Sequence, residues 1–225
     1  MQGYVARPHN DRARAGLLVF QEAFGVNAHI RDITERFARE GCHAIAPELF
    51  HRTAPRFEGD YTNFEAVMPH VRALKDRDME ADVRAAWAWL RENLGVQEIP
   101  IACIGFCLGG RVFFLTNSVL PVKAAISFYG GGIAPNPMGP GLLSRAGDLH
   151  APQLLFWGGL DKHIGPEQAQ AVAEALRKAG KRFVNVEFGD ADHGFFCDAR
   201  ASYNPAAAQQ SWALTHVFLN SYLRN

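Results

Sequence analysis

The sequence predicts an α/β fold, a mostly parallel central sheet with helices on both faces. Three observations carry this expectation. Short apolar runs of typical strand length alternate with longer amphipathic stretches along the chain, the pattern of parallel strands covered by helices. No repeat, low-complexity segment or shift in composition marks a linker. At 225 residues the chain suits one α/β domain spanning 1–225, because folds of this class often exceed the usual domain size without splitting.

The elements follow in order. The first apolar run, GLLVF at 16–20, reads as a strand, and a helical pattern follows over about 28–40. HAIAPE at 43–48 is the next strand. From Pro47 to about Pro69 the chain carries Pro, Gly, Thr and aromatic residues without periodicity, so it reads as a long surface excursion over the sheet, the kind that shapes pockets. A helix is predicted over about 76–94, then the strand IPIACIG at 99–105 and a helix over 108–119. Strands KAAISFYG at 123–130, PQLLFWG at 152–158 and RFVNVEF at 182–188 complete the sheet, with helices over 166–179 and about 205–222. Pro166 and Pro205 stand at the two helix starts, where a missing N–H costs little.

Charge excludes some partners. With 23 basic and 23 acidic residues and a pI near 7.1, no broad field exists to attract nucleic acid or an anionic membrane. The N-terminal MQGYVARPHNDRARAG is polar where a signal peptide is apolar, and no run of about 18 apolar residues occurs. A soluble, cytoplasmic protein acting on a small molecule is expected. Cys42, Cys103, Cys107 and Cys197 are too few and scattered for a disulfide framework, so free thiols are expected; a free Cys is usually a small buried hydrophobe.

Cys107 is the exception. Gly105-Phe106-Cys107-Leu108-Gly109-Gly110 follows a strand and opens a helix, matching the nucleophile elbow G-x-S-x-G of α/β-hydrolases with Cys in place of Ser. At such an elbow the nucleophile sits in a strained turn, and side chains two positions either side would collide with strand and helix, so Gly105 and Gly109 are required. The turn also puts Cys107 at a helix N-terminus, where N–H groups favour a thiolate and an oxyanion. The plain alternative is a glycine-rich turn that happens to contain Cys.

That fold places the acid and then the histidine after the nucleophile. Gly159-Leu160-Asp161 and Asp192-His193-Gly194-Phe195 each follow a strand, where catalytic groups gather in open α/β sheets. Asp161 is also a reasonable turn or helix-capping residue. Asp190 and Asp192 adjoin His193, but an orienting carboxylate must face Nδ1 while Nε2 faces the nucleophile, and a loop neighbour rarely has that reach. His163 is the rival to His193, whose glycine-flanked place after the last strand favours it. Cys103 with Cys107, and His193 with Cys197, share a four-residue spacing that would suit zinc on a helix; Cys103 lies in a strand, roughly 13 Å from Cys107. No metal is expected.

These motifs resemble the dienelactone hydrolases, also called carboxymethylenebutenolidases, over nearly the whole chain. The match rests jointly on Gln21-Glu22-Ala23-Phe24-Gly25-Val26-Asn27, Ala46-Pro47-Glu48-Leu49, Met79-Glu80-Ala81-Asp82, the Cys107 elbow, Phe128-Tyr129-Gly130, Gly159-Leu160-Asp161 and His193-Gly194-Phe195. The resemblance implies a Cys107, His193, Asp161 triad and adds Glu22, which in this family contacts and helps activate the nucleophile: the glutamate moves toward the thiol as substrate arrives. The bland reading of Glu22 is a loop carboxylate paired with a nearby arginine. The oxyanion hole is expected from the backbone N–H groups of Ala23 and Leu108. Family members grip a substrate carboxylate with two arginines; here Phe195, Phe196 and Cys197 follow His193, Arg200 is the nearest arginine, and Arg56 and Arg72 are upstream candidates. Phe24, Tyr61, Phe64, Tyr129 and Phe195 are candidates to line an apolar pocket.

The sequence therefore predicts a hydrolase that opens a lactone or activated ester by acyl transfer to Cys107 and water attack on the thioester, without cofactor. A monomer is the family expectation. A broad esterase or thioesterase would use the same residues; a non-catalytic binding protein would not need all four of Cys107, His193, Asp161 and Glu22.

Overall fold

The computed structural model describes residues 1–9, 13–93 and 99–223; the final position of the helix expected over 76–94 lies outside them. The strands are β1 (Gly3–Ala6), β2 (Ala15–Phe20), β3 (Cys42–Pro47), β4 (Ile101–Phe106), β5 (Ala125–Phe128), β6 (Gln153–Gly158) and β7 (Phe183–Phe188). They form one seven-stranded sheet in the order β1-β3-β2-β4-β5-β6-β7. Strands β2 to β7 are parallel; β1 pairs with β3 antiparallel. The order reverses around β2 and β4, the place in an open α/β sheet where binding and reacting groups gather at the carboxyl ends of the strands.

Every residue of β2, β3, β4, β5 and β6 is buried, which is why these strands read as continuous apolar runs. Alternate residues feed two cores. Leu18, Phe20 and Cys103 face Met79, Val83 and Leu90 of α3 (Asp76–Asn93), Val112 to Leu115 of α4 (Gly109–Val119) and Val172 and Leu176 of α5 (Pro166–Lys178). Leu17, Val19 and Ile104 face Ile30, Ile33 and Phe37 of α1 (Ala28–Arg39) and Phe218 and Leu219 of α6 (Pro205–Tyr222). The helices thus cover both faces, as the alternation of elements predicts.

The excursion departs from the expectation of an irregular loop. Part of it is a helix, α2 (Phe64–Ala73), capped by Asn63, whose Oδ1 accepts from Ala66 N at 3.2 Å. Pro69 sits inside α2 and only Val67 of its residues is buried, so the helix shows neither clean composition nor an apolar stripe. The short edge strand β1 and a 3₁₀ turn at Leu143–Asp148 also go beyond the sequence reading. The excursion is tied down by the Arg52 guanidinium, bidentate on buried Asp82 of α3 at 2.6 and 2.8 Å, with His51 Nε2 3.2 Å from the same carboxylate.

Candidate active site

Cys107 follows β4 with φ 52°, one of three positive-φ residues other than glycine among those described. Its N–H donates to Phe128 O at 3.0 Å, and its carbonyl accepts from Gly110 N and Gly131 N, both at 2.9 Å. A turn this tight has no room for side chains around it. A Cβ on Gly105 would lie 2.0 Å from Gly109 O, and one on Gly109 would lie 2.5 Å from Phe20 O. The strained backbone lifts the half-buried Cys107 out of the sheet. Leu108 is the N-cap of α4 and offers no side-chain cap bond; the N–H groups of Gly110 and Arg111 turn back to the carbonyls of Cys107 and Leu108 at 2.9 and 3.0 Å.

Asp161 and His193 come from the loops after β6 and β7 and meet across 32 residues: His193 Nδ1 lies 2.7 Å from Asp161 Oδ2. The other Asp161 oxygen accepts from the backbone N–H of His163 and Ile164 at 2.8 and 2.9 Å. The aspartate is thus both the turn-forming residue and the partner of the imidazole. Burial works against its charge, but the hydrogen bond and charge of His193 and the two N–H donors outweigh it and hold Asp161 below the usual carboxylate value. Burial likewise opposes a charged His193; the neighbouring Cys107, as charge and hydrogen-bond partner, together with Asp161 pushes it the other way, to about 10.

Of the rivals, Asp192 turns to the chain, accepting from His193 N at 2.6 Å, and His163 stacks edge-on to the His193 ring at 5.3 Å. Cys103 is fully buried, its Sγ 3.9 Å from Phe113 O, and desolvation pushes its thiol up. Cys42 is pushed to about 11, chiefly by burial. Neither thiol is placed to react.

Glu22, in the loop leaving β2, is fully buried, and its Oε1 accepts from Arg200 Nη1 at 3.1 Å. Arg200 lies over Phe24 and Tyr61, 5.6 Å from each ring centroid, and against Gly194 at φ 80°, where a Cβ would lie 2.4 Å from the guanidinium carbon. Of the three arginines singled out in the sequence, Arg200 is the one beside Glu22; Arg56 and Arg72 are exposed. Ala23 is buried next to Glu22. Phe24 and Tyr61 stack edge-on at 4.6 Å, and Tyr61 accepts from Asn27 Nδ2 at 2.8 Å.

Of the aromatic candidates, Phe195 and Tyr129 are fully buried. Phe195 packs against Phe188 and Tyr129, at 5.4 and 5.3 Å between centroids. Tyr129, at φ 39°, lies beneath the site with its ring 5.1 Å from that of His193.

The chain and its architecture match known proteins over nearly the whole length. The dienelactone hydrolase family model matches residues 1–223. The chain belongs to the dienelactone hydrolase family. A Synechocystis protein provisionally named carboxymethylenebutenolidase is 40% identical over 222 residues, covering 93% of this chain and 87% of its own. The crystal structure of a protein from Klebsiella pneumoniae, provisionally described as a dienelactone hydrolase, superposes with a TM-score of 0.86 at 32% identity, covering 98% of this chain and 92% of that one. An esterase from Thermogutta terrifontis, solved with propionate, gives 0.67 at 25% identity over 97% of this chain and 88% of that one. The protein is a carboxylic ester hydrolase of dienelactone hydrolase type, and a small ester or lactone substrate fits the family. Among the described residues no helix is long and apolar enough to cross a membrane.

Sequence reasoning missed His29. It shares the buried stripe of α1 with Ile30 and Ile33 and lies with Glu22 and Cys197 in one cluster; its position on the apolar face was the available signal.

Proposed function

We propose that the protein opens a lactone or activated ester, of dienelactone or butenolide type, through Cys107, His193 and Asp161 with a thioester intermediate. The observation that carries this reading is the His193 imidazole held by Asp161 at 2.7 Å and raised by Cys107, beside a cysteine at positive φ. Glu22, held by Arg200 at 3.1 Å, is the switch. A substrate carboxylate competes for Arg200, and the freed Glu22 takes the thiol proton, so that the thiolate forms as substrate arrives. The sulfur attacks the acyl carbon, and the oxyanion is met by the N–H groups of Leu108 and Ala23. As the ring C–O bond breaks, the His193 imidazolium gives its proton to the departing oxygen.

The acyl-enzyme changes the electrostatics. Thioester formation removes the Cys107 charge that helped keep His193 protonated, so the now neutral imidazole accepts a proton from the attacking water. Collapse expels the thiolate, releases the acid, and the Glu22 proton returns to sulfur. The overall stoichiometry is one ester and one water to acid and hydroxyl.

A second reading keeps the same residues but takes neutral esters, favoured by the aromatic rings of Phe24 and Tyr61 flanking Arg200. Turnover of a dienelactone, a neutral butenolide and an aryl acetate by the native protein, Cys107→Ala and Arg200→Ala separates the cases. The proposal expects dienelactone to be the best substrate, Cys107→Ala to be inactive, and Arg200→Ala to raise KM for the anionic lactone more than for the acetate. Full activity in Cys107→Ala would sink the nucleophile assignment; cleavage of the acetate alone would leave the neutral-ester reading.

A further inference from the structure

The two oxygens of Glu22 keep different company. Oε1 holds Arg200, whereas Oε2 is buried without a partner among the described residues. On the first turn of α1, His29 Nε2 is likewise buried and unpartnered. Cys197, from the loop after His193, completes a group in which one carboxylate oxygen, one imidazole nitrogen and the sulfur all lie within 4.8 Å of one another. All three residues are buried. Unpaired polar atoms in a dry interior are costly unless something shared satisfies them.

The donor set says what that is. Ligand bonds of about 2.0–2.3 Å in a tetrahedral site put ligand atoms roughly 3.5 Å apart, a modest contraction from the observed cluster. Carboxylate and thiolate supply two negative charges, the first shared with Arg200, and the sulfur and imidazole select a zinc-like ion over magnesium or calcium. Arg200 holds Oε1, which leaves the unpartnered Oε2 for the ion. The Cys197 thiol donates to the Tyr61 hydroxyl at 3.2 Å. We propose that Glu22, His29 and Cys197 form a buried binding site for a divalent cation of the zinc class, distinct from the Cys107 and His193 pair.

Binding expels the Cys197 thiol proton, because the thiolate is the ligand. An ion at this site also tethers the carboxylate that the proposed function requires to move, so it suppresses hydrolysis. That consequence rests on the proposed function; the site itself does not.

Cobalt(II) chloride is the probe, added to Cys107→Ser so that the catalytic sulfur cannot contribute. A thiolate-to-cobalt charge-transfer band, saturating at a single ion per chain, is expected. It should be lost in Cys107→Ser/Cys197→Ser and lost or weakened in Cys107→Ser/His29→Gln. No band in Cys107→Ser, or a band that survives removal of Cys197, overturns the site; the first outcome needs no further variant to fold. If the band behaves as expected while cobalt-loaded native protein hydrolyses substrate undiminished, the site stands and the role proposed for Glu22 falls.

Discussion

The loops leaving β4, β6 and β7 and the excursion between β3 and α3 both surround the site, but they are held by different means. The first are fixed by backbone. Cys107 N–H reaches Phe128 O at 3.0 Å, Leu160 N–H reaches Ala191 O at 2.9 Å and Asp161 N–H reaches Gly158 O at 3.2 Å, so sheet register sets where the proposed reacting groups stand. The excursion is held mainly by side chains: Arg52 on Asp82, Arg31 on Glu58 at 2.6 Å, and Asn27 on Tyr61. The proposed reacting groups are set by the sheet, while the cover is held by those side chains, by the backbone bond from Gly59 N–H to Phe24 O at 3.0 Å and by the packing of Val67 and Phe57 with Phe24. The cover is therefore the part that can be loosened without displacing Cys107.

The sharpest break falls on the backbone side. Gly105→Ala places a methyl 2.0 Å from Gly109 O, a backbone atom that cannot swing away, so about 3 kcal/mol or more of stability should be lost. Denaturant unfolding checks this; unchanged stability would mean that the elbow has room for a methyl group at this position. Asp161→Asn keeps shape while removing the charge opposite His193. It should lower kcat about 10³–10⁴-fold, with the folded structure retained by circular dichroism. A fall of less than tenfold would argue against the aspartate as the orienting partner.

The same division explains what the sequence disclosed. The strands of the buried sheet and the helices around it are continuous or periodic in hydrophobicity, so their order could be read, and Gly105-Phe106-Cys107-Leu108-Gly109 carries its steric logic locally. Contacts between distant side chains carry no such local mark. Glu22 entered only through family resemblance, and its pairing with Arg200, 178 residues away, is a product of folding. Helix α2 was hidden by Pro69 and by a face that buries only Val67. Strand β1, four residues at the sheet edge with no residue fully buried, had too little pattern to read.

On the excursion side, Arg52→Ala removes both guanidinium bonds to Asp82, at 2.6 and 2.8 Å, and leaves a buried carboxylate with His51 alone. A loss of about 2 kcal/mol is expected, seen as a lower melting temperature. If the cover is separable from the chemistry, KM rises more than kcat falls. A matching fall in kcat would show that the excursion also positions the reacting groups, and the contrast between the two regions would narrow.

The smallest effect sharpens the comparison through pH. His193 has a folded pKa raised to about 10, above the ordinary value of about 6.5. Its charged contacts therefore stabilise the fold fully below about pH 6.5 and are lost as pH rises toward 10. Asp161, lowered in the folded state, behaves in the opposite sense: its contribution is present above the ordinary carboxylate pKa and disappears as acid protonates it. Between neutrality and pH 10 the melting temperature should fall, and because burial opposes the His193 charge while Cys107 leads the influences that favour it, Cys107→Ala should flatten that fall. Arg52→Ala, acting on the excursion, should lower the whole curve and keep its slope. If Cys107→Ala left the slope unchanged, the coupling of thiol and imidazole would be absent, and with it the argument that acyl transfer converts His193 from proton donor to base.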